Sequence, residues 1–359
     1  MAINSDFWQG KRVLITGHTG FKGSWLTLWL QALGAEVIGF SLNPPSQPNL
    51  FKIARVEQNI ISIHGDIRDL THLSAVFKAH QPEIVIHMAA QSLVRQSYQT
   101  PVETYATNVM GTVNLLESCR ITPNVKAIIV VTSDKCYENR EQMQGYQETD
   151  AMGGDDPYSS SKGCAELVTA AYRASFMHPK DYAQHGIALA SVRAGNVIGG
   201  GDWAVDRLIP DILESLSLNT PVILRNPHAV RPWQHVLEPL SGYLMLAEKL
   251  YQNGAAFAQA WNFGPLAQDA KTVEWITAQL VQAWGSFASY SIEATHINPH
   301  EANLLKLDCT KSRTQLNWQP KWHVETAINK IVNWHQAYLK GAEMRAYCLQ
   351  EISDYQAIK

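Results

Sequence analysis

The 359-residue sequence predicts an α/β fold: a Rossmann-type doubly wound parallel sheet with a smaller, intertwined C-terminal lobe. Three observations predict it. Short apolar, β-branched runs alternate with helical periodicity through the first half of the chain. A glycine-rich turn follows the first of these runs. After Arg193 the alternation breaks into short pieces punctuated by Gly199 to Gly201, Pro210, Pro221, Pro227 and Pro232. Strands that alternate with helices imply a parallel sheet covered on both faces, and a chain of this length exceeds a single ordinary core, so a second lobe with a cleft between the two is expected.

The elements follow in order. Residues 11–16 form the first strand, the turn Gly17-His18-Thr19-Gly20-Phe21-Lys22-Gly23 comes next, and 24–33 have helical spacing. Runs at 36–40, 60–63, 84–87, 127–131 and 187–192 read as further buried strands. Residues 238–251 read as an amphipathic helix and 260–263 as a strand that rejoins the first sheet. Helical periodicity continues over 272–284 and 312–340. The expected division is a dinucleotide-binding domain over 1–192, with 236–264 rejoining it, and a lobe made of 193–235 and 265–359.

Composition narrows the class. A net charge of −3 with 46% hydrophobic and 17% charged residues is ordinary for a globular enzyme, and nothing in it calls for nucleic acid. The five cysteines, Cys119, Cys136, Cys164, Cys309 and Cys348, are odd in number, scattered and without a Cys-x-x-Cys pair. They argue against a disulfide framework and against a zinc site, and fit a reducing, cytoplasmic setting. No His/Asp/Glu cluster has metal-ligand spacing. The first ten residues lack an apolar core followed by a small-residue cleavage site, and no apolar run is long enough to cross a bilayer, so a soluble, unprocessed protein with no membrane partner is expected.

The turn Gly17-x-x-Gly20-x-x-Gly23 sits between the first strand and the first helix, where glycines allow a tight turn and bring backbone N–H groups against a pyrophosphate. The second strand ends in Phe40-Ser41-Leu42-Asn43 and lacks the acid that usually holds the adenosine ribose. Ser41 is the ribose contact that remains, and no arginine follows at once to hold a 2′-phosphate, although Arg55 has the reach to loop back. NAD is therefore preferred over NADP. Asp66, after the third strand, is placed either to reach the adenine amino group or to cap the following helix.

Tyr158 and Lys162 lie four apart, one turn from each other on one helical face. An ammonium beside a phenol lowers its pKa toward neutrality and makes it a usable general base. Upstream, the fifth strand runs into Thr132-Ser133-Asp134-Lys135 at the carboxyl edge of the sheet, where ligands of open α/β folds bind.

The glycine turn, Asn108 within Tyr105-Ala-Thr-Asn108-Val-Met-Gly111, the Ser133 segment and the Tyr158/Lys162 pair together resemble the extended short-chain dehydrogenase/reductases over nearly the whole chain. Asp134-Lys135 resembles the sugar-nucleotide 4,6-dehydratase branch, in which an acid is followed by a second ionisable group. Lysine in the second place, followed by Cys136-Tyr-Glu138, is similar to the CDP-glucose-specific form. Arg193-Ala-Gly-Asn196-Val-Ile-Gly-Gly-Gly-Asp202 and Arg231-Pro-Trp-Gln-His235 add to the likeness.

The resemblance implies CDP-glucose as substrate, NAD as cofactor and CDP-4-keto-6-deoxyglucose as product, in deoxysugar biosynthesis of the kind that supplies O-antigen. Tyr158, Ser133 and Lys162 would serve oxidation at C4, with Lys135 as base at C5 and Asp134 as acid toward the C6 hydroxyl. The implied cofactor contacts are Gly17, Thr19, Gly20, Phe21, Gly23, Ser41, Asp66, Ile67, Ala89, Ala90, Asn108, Tyr158 and Lys162. The implied substrate contacts are Asn196, Arg207, Arg231, His235 and Glu301. A homodimer, or a tetramer formed by pairing two dimers, is implied through the helices around 104–119 and 158–174. Two other readings share the fold: a sugar-nucleotide 4-epimerase, against which Asp134-Lys135 speaks, and a non-catalytic dinucleotide-binding protein, against which the retained Ser133, Tyr158 and Lys162 speak.

Overall fold

The structure is a computed structural model that describes residues 3–224, 226–285, 288–292 and 305–358. Seven strands, β1 (Arg12–Thr16), β2 (Glu36–Ser41), β3 (Ile61–His64), β4 (Ile84–His87), β5 (Ala127–Val131), β6 (Ala188–Ala194) and β7 (Ala260–Phe263), form one sheet in the order β7-β6-β5-β4-β1-β2-β3. Every neighbouring pair is parallel. The strand order turns outward in opposite directions from β1, so the crevice beyond its carboxyl end, between β1 and β4, is the topological switch point.

Alternation along each strand divides the side chains between two faces. Val13 and Ile15 of β1, with Ile129 and Val131 of β5, pack with Trp25, Leu28 and Trp29 of α1 (Phe21–Ala32). Leu14 and Ile128 point the other way, onto Leu73 and Phe77 of α2 (Leu70–His80) and Leu115 and Leu116 of α3 (Gly111–Arg120). Ahead of α3 the backbone runs through a helical turn, Pro101–Tyr105, and a π-helical turn, Ala106–Met110, centred on Asn108. π-bulges of this kind re-aim side chains and recur at functional sites. α4 (Pro157–Ser175) is capped by Asp156, whose carboxylate accepts from the Ser159 N–H, with Pro157 in the first turn.

A second core forms in the lobe from Ile209, Leu213 and Leu216 of α5 (Leu208–Ser217), Ile276 and Leu280, and Ile328 and Ile331. The helix α6 (Leu237–Asn253) and β7 return to the large sheet. α7 (Val273–Trp284) belongs to the lobe. The periodicity read over 312–340 is not one helix: Thr310–Gln315 ends before Asn317, which adopts φ +53°, and α8 (Val324–Leu339) begins only after Pro320.

The last helix, α9 (Met344–Ala357), lies on α1 rather than in the lobe. Cys348, Ile352 and Tyr355 present an apolar stripe that closes over Trp25 and Trp29, so the C-terminal segment completes the main core. The lobe's own core is therefore smaller than the 265–359 span assigned to it from sequence.

Glu238, in the first turn of α6 and fully buried, fastens this arrangement. Its carboxylate accepts from the Lys321 N–H, from the Trp322 N–H at 2.7 Å and from the Tyr355 hydroxyl at 2.6 Å, joining α6, the 316–323 loop and α9. Burial pushes its pKa up from 4.5 to about 7, against the opposing pull of those bonds. Between pH 4.5 and 7 the folded chain retains a proton that the unfolded chain has released, so stability should fall across that window as pH rises. The loss should be roughly 3 kcal/mol, read as a lower denaturant midpoint at pH 8 than at pH 5, and Glu238→Gln should flatten the dependence.

Candidate active site

The loops that follow β1, β2, β4, β5 and β6 all open on one edge of the sheet. Gly17 adopts φ +78°, and a Cβ there would lie 2.8 Å from the Ala89 nitrogen; a Cβ at Gly23 would lie 2.1 Å from the Gly17 carbonyl oxygen. Only bare backbone fits. Gly20 is the N-cap of α1, and no side chain caps the helix there. The N–H groups of the first turn and the positive end of the helix dipole thus make a cradle for a pyrophosphate. Thr19 Oγ1 bonds Ser41 Oγ at 2.8 Å and donates to the Leu42 carbonyl, tying the turn to the end of β2; half-buried Phe21 follows. Thr16 Oγ1 accepts from the Met88 and Ala89 N–H groups, which brings Ala89 and the adjoining Ala90 against the same turn.

Of the two readings of Asp66, helix capping falls away, because Asp69 caps α2 by accepting from the His72 N–H. Asp66 takes a forked contact from Arg68, which holds its carboxyl below the usual range. The next residue, Ile67, is buried against Gly111, where a Cβ would meet it at 2.7 Å. Arg55 pairs with Glu343 near the start of α9 and does not turn back to β2. Asn108 uses its side chain within the protein: its amide donates to the Gln91 carbonyl and to Ser161 Oγ, and its oxygen accepts from the Gln91 N–H. It holds the post-β4 loop to α4, which makes it a positioning residue.

On α4, Tyr158, Lys162 and Glu166 follow at intervals of four and share the buried face. Glu166 receives the Arg193 guanidinium at 2.9 and 2.8 Å, the Thr132 hydroxyl and the Ser191 hydroxyl. Burial alone would raise its pKa, yet these bonds hold it below the usual carboxylate range. Arg193 Nη1 also donates to the Tyr137 hydroxyl at 2.6 Å, and Tyr137 donates to Asn262 of β7. One network therefore joins β5, β6, β7, α4 and the short helical turn Asp134–Cys136.

Lys162 Nζ donates to the Val131 carbonyl at 3.3 Å, and burial brings its pKa down to about 8. Tyr158 is buried and its pKa is pushed up to about 12, chiefly by desolvation, with a hydrogen bond to Ser133 and the Arg207 charge pulling the other way. The sequence expectation that Lys162 sets the phenol toward neutrality is not met: the lysine is committed to the backbone of β5, and desolvation outweighs the nearby charges. Ser133 Oγ accepts from the Lys135 N–H and donates to Asp134 Oδ1 at 3.0 Å. Asp134 is 5% exposed, and burial raises its pKa against the pull of Lys135, the Ser133 bond and Arg231.

Arg207, at the mouth of the lobe, bonds Asp202 at 3.0 Å and reaches Ser92 of the post-β4 loop at 3.1 Å. Arg231 is buried near Asp134, and Asn196 is half-buried just beyond β6. His235 does not face the cleft. It is fully buried, lies 3.1 Å from Glu351 of α9, and packs between the rings of Trp25 and Trp322. It belongs to the core that α9 completes. Glu301 lies outside the described residues. Sequence reasoning missed Lys22, half-buried beside Lys162 and Arg207 with its pKa down to about 7 through burial, and Gly195, against the Asp134 carboxylate. The only signal for either was its place inside a motif.

Breaking the buried pair should be costly, because one charge is left uncompensated in the core. Glu166→Ala should lose about 3–5 kcal/mol of stability, measured by chemical denaturation, and the double change Glu166→Leu with Arg193→Met should recover much of it.

Comparison with known proteins agrees with the geometry. The family model for GDP-mannose 4,6 dehydratase matches residues 14–331. The CDP-glucose 4,6-dehydratase of Salmonella typhimurium is 57% identical over 353 residues, spanning 98% of each chain. Two solved structures share the fold: the dTDP-glucose 4,6-dehydratase of Bacillus anthracis in complex with NAD has a TM-score of 0.75 at 22% identity, covering 93% of this chain and 99% of that one. The UDP-glucose 4-epimerase of Thermus thermophilus in complex with NAD has a TM-score of 0.78 at 23% identity, covering 90% and 99%. By its sequence match over most of its length, the chain belongs to the GDP-mannose 4,6 dehydratase family, within the extended short-chain dehydrogenase/reductases.

Proposed function

We propose that the protein converts CDP-glucose to CDP-4-keto-6-deoxyglucose and water with NAD as cofactor. The observation that carries this reading is Asp134: a buried carboxyl whose pKa is raised, adjacent to Lys135 and hydrogen-bonded to the same serine that bonds Tyr158. A 4-epimerase has no use for such an acid, and the 57% identity with the Salmonella CDP-glucose 4,6-dehydratase supports the cytidine nucleotide.

The cradle of Gly17, Gly20 and Gly23, with Asp66 and Ile67 at the adenine end and Lys162 below the crevice, fits NAD. NAD, when bound, would supply a hydride acceptor and donor. Tyr158 takes the proton of the C4 hydroxyl while Ser133 holds that oxygen. A ketone at C4 makes the C5 proton acidic. Lys135, in its neutral form, removes it, the electron pair closes the C5–C6 double bond, and Asp134 gives its proton to the departing C6 oxygen, which leaves as water; Lys135 then gives the proton back to C5 as C6 would regain the hydride taken from C4. Asn196, Arg207 and Arg231 hold the nucleotide diphosphate at the lobe side of the cleft, while Asn108 keeps α4 and the post-β4 loop in register.

We further propose a homodimer. Val102, Tyr105 and Met110 on the helical segment leading into α3, and Leu167 on α4, are exposed apolar side chains suited to pairing these helices with a second copy. Among the described residues no helix is long and apolar enough to cross a membrane. The five free cysteines, four of them buried, suit a reducing compartment, and we place the enzyme in the cytoplasm, in deoxysugar synthesis of the kind that feeds O-antigen.

Incubation with CDP-glucose, dTDP-glucose, UDP-glucose and GDP-mannose, followed by mass spectrometry, should show loss of water from CDP-glucose alone. Conversion of any of these to its C4 epimer without water loss would overturn the reading. Tyr158→Phe should lower turnover by about 10²–10⁴-fold while leaving the thermal midpoint near that of the parent.

A further inference from the structure

The Asp134 carboxyl has two unlike neighbours. Its Oδ1 accepts from the Ser133 hydroxyl at 3.0 Å. Its Oδ2 lies against Gly195, just beyond the end of β6, so closely that a Cβ on that residue would stand 2.5 Å from the oxygen and 3.0 Å from Pro232 Cγ. Gly195 has no left-handed φ, so backbone conformation does not explain why glycine stands there. Side-chain volume does: a methyl group at that distance must displace the carboxyl or the strand end.

What holds Gly195 in place is also visible. Gln234 is 1% exposed, and its amide nitrogen donates to the Phe263 carbonyl at 3.0 Å and to the Gly195 carbonyl at 3.5 Å. Its backbone N–H donates to the Asn196 carbonyl at 3.1 Å, within a short parallel pairing of Gln234–His235 with Val197–Ile198. The ends of β6 and β7 are thereby clamped beside Asp134, with Pro232 closing the same side.

Resting on the dehydratase reading, we infer that Gly195, clamped by Gln234, is a positioning residue for the elimination step: its bare Cα and Pro232 form a wall that leaves Asp134 one seat, with Oδ1 tied to Ser133. From that seat the carboxyl donates its proton to the C6 oxygen as the C6–O bond breaks, while the C5 proton goes to the base and the C5–H electron pair forms the double bond. Asp134 is 5% exposed in this seat, in keeping with the raised pKa of this carboxyl. Tyr158 and Ser133 serve the oxidation at C4 and meet the carboxyl through the Ser133–Asp134 bond, so a shift of Asp134 should reach the oxidation more weakly than the elimination, in which its proton is consumed.

The test separates the two half-reactions of the full-length enzyme. In single turnover with CDP-glucose and NAD, near-ultraviolet absorbance of NADH reports C4 oxidation and mass spectrometry reports water loss. Gly195→Ala should oxidise C4 within about threefold of the parent, yet expel water at least about 10²-fold more slowly, the size of a lost general acid. Because the effect acts through Asp134, adding Gly195→Ala to Asp134→Asn should cause little further loss. Gln234→Asn, which keeps an amide but shortens its reach, should show the same split if Gly195→Ala does not fold. Equal slowing of both half-reactions, or losses that simply multiply in the double variant, would overturn the inference. So would unchanged water loss in whichever of the two single variants folds. A parent enzyme that oxidises C4 but expels no water would instead overturn the dehydratase reading, and this inference with it.

Discussion

The buried Glu166–Arg193 pair is the constraint on which the site depends. Both side chains are 4% exposed, and such a pair holds only when its remaining hydrogen-bonding positions are filled. Thr132, Ser191 and Tyr137 fill them, and these residues lie just beyond β5, within β6 and directly after the turn carrying Asp134 and Lys135. Fixing Glu166 fixes the rotation of α4 about its axis. Lys162 and Tyr158 lie one and two turns upstream on the same face, so the pair sets their height above the sheet edge as well as the direction in which they point.

Burial then acts on each titratable group with the sign that its chemistry dictates. It raises Asp134, which favours the protonated carboxyl. It lowers Lys162 to about 8 and raises Tyr158 to about 12, and only the first of these eases proton removal. The phenol therefore relies on positive charge around it. Arg207 supplies some from the lobe, held in place by Asp202 on one side and Ser92 on the other. The lobe thus places a positive charge beside the phenol.

Much of the fold is legible in the sequence because local pattern and tertiary outcome coincide. The apolar runs at 84–87 and 127–131 become fully buried central strands, and the glycine turn lies where strand gives way to helix. The placement of Ser133, Tyr158 and Lys162 is legible for the same reason: each follows a predicted element directly. The misread parts are those decided by contacts distant in the chain. His235 lies in the same motif as Arg231, but its partner is Glu351, more than a hundred residues away on a helix whose own stripe says nothing of where it docks. The phenol of Tyr158 depends on desolvation, which no spacing reveals. Gly195 reads as one more loop glycine until the Asp134 carboxylate is found against it.

Deuterium at C4 of CDP-glucose tests the central claim most directly, because the proposed chemistry joins C4, C5 and C6 of one sugar in one site. The expected result is a 4-keto-6-deoxy product, lighter by one water, with the deuterium at C6 of the same molecule. Deuterium that remains at C4 of an epimer, or that is lost to solvent as water leaves, would contradict it.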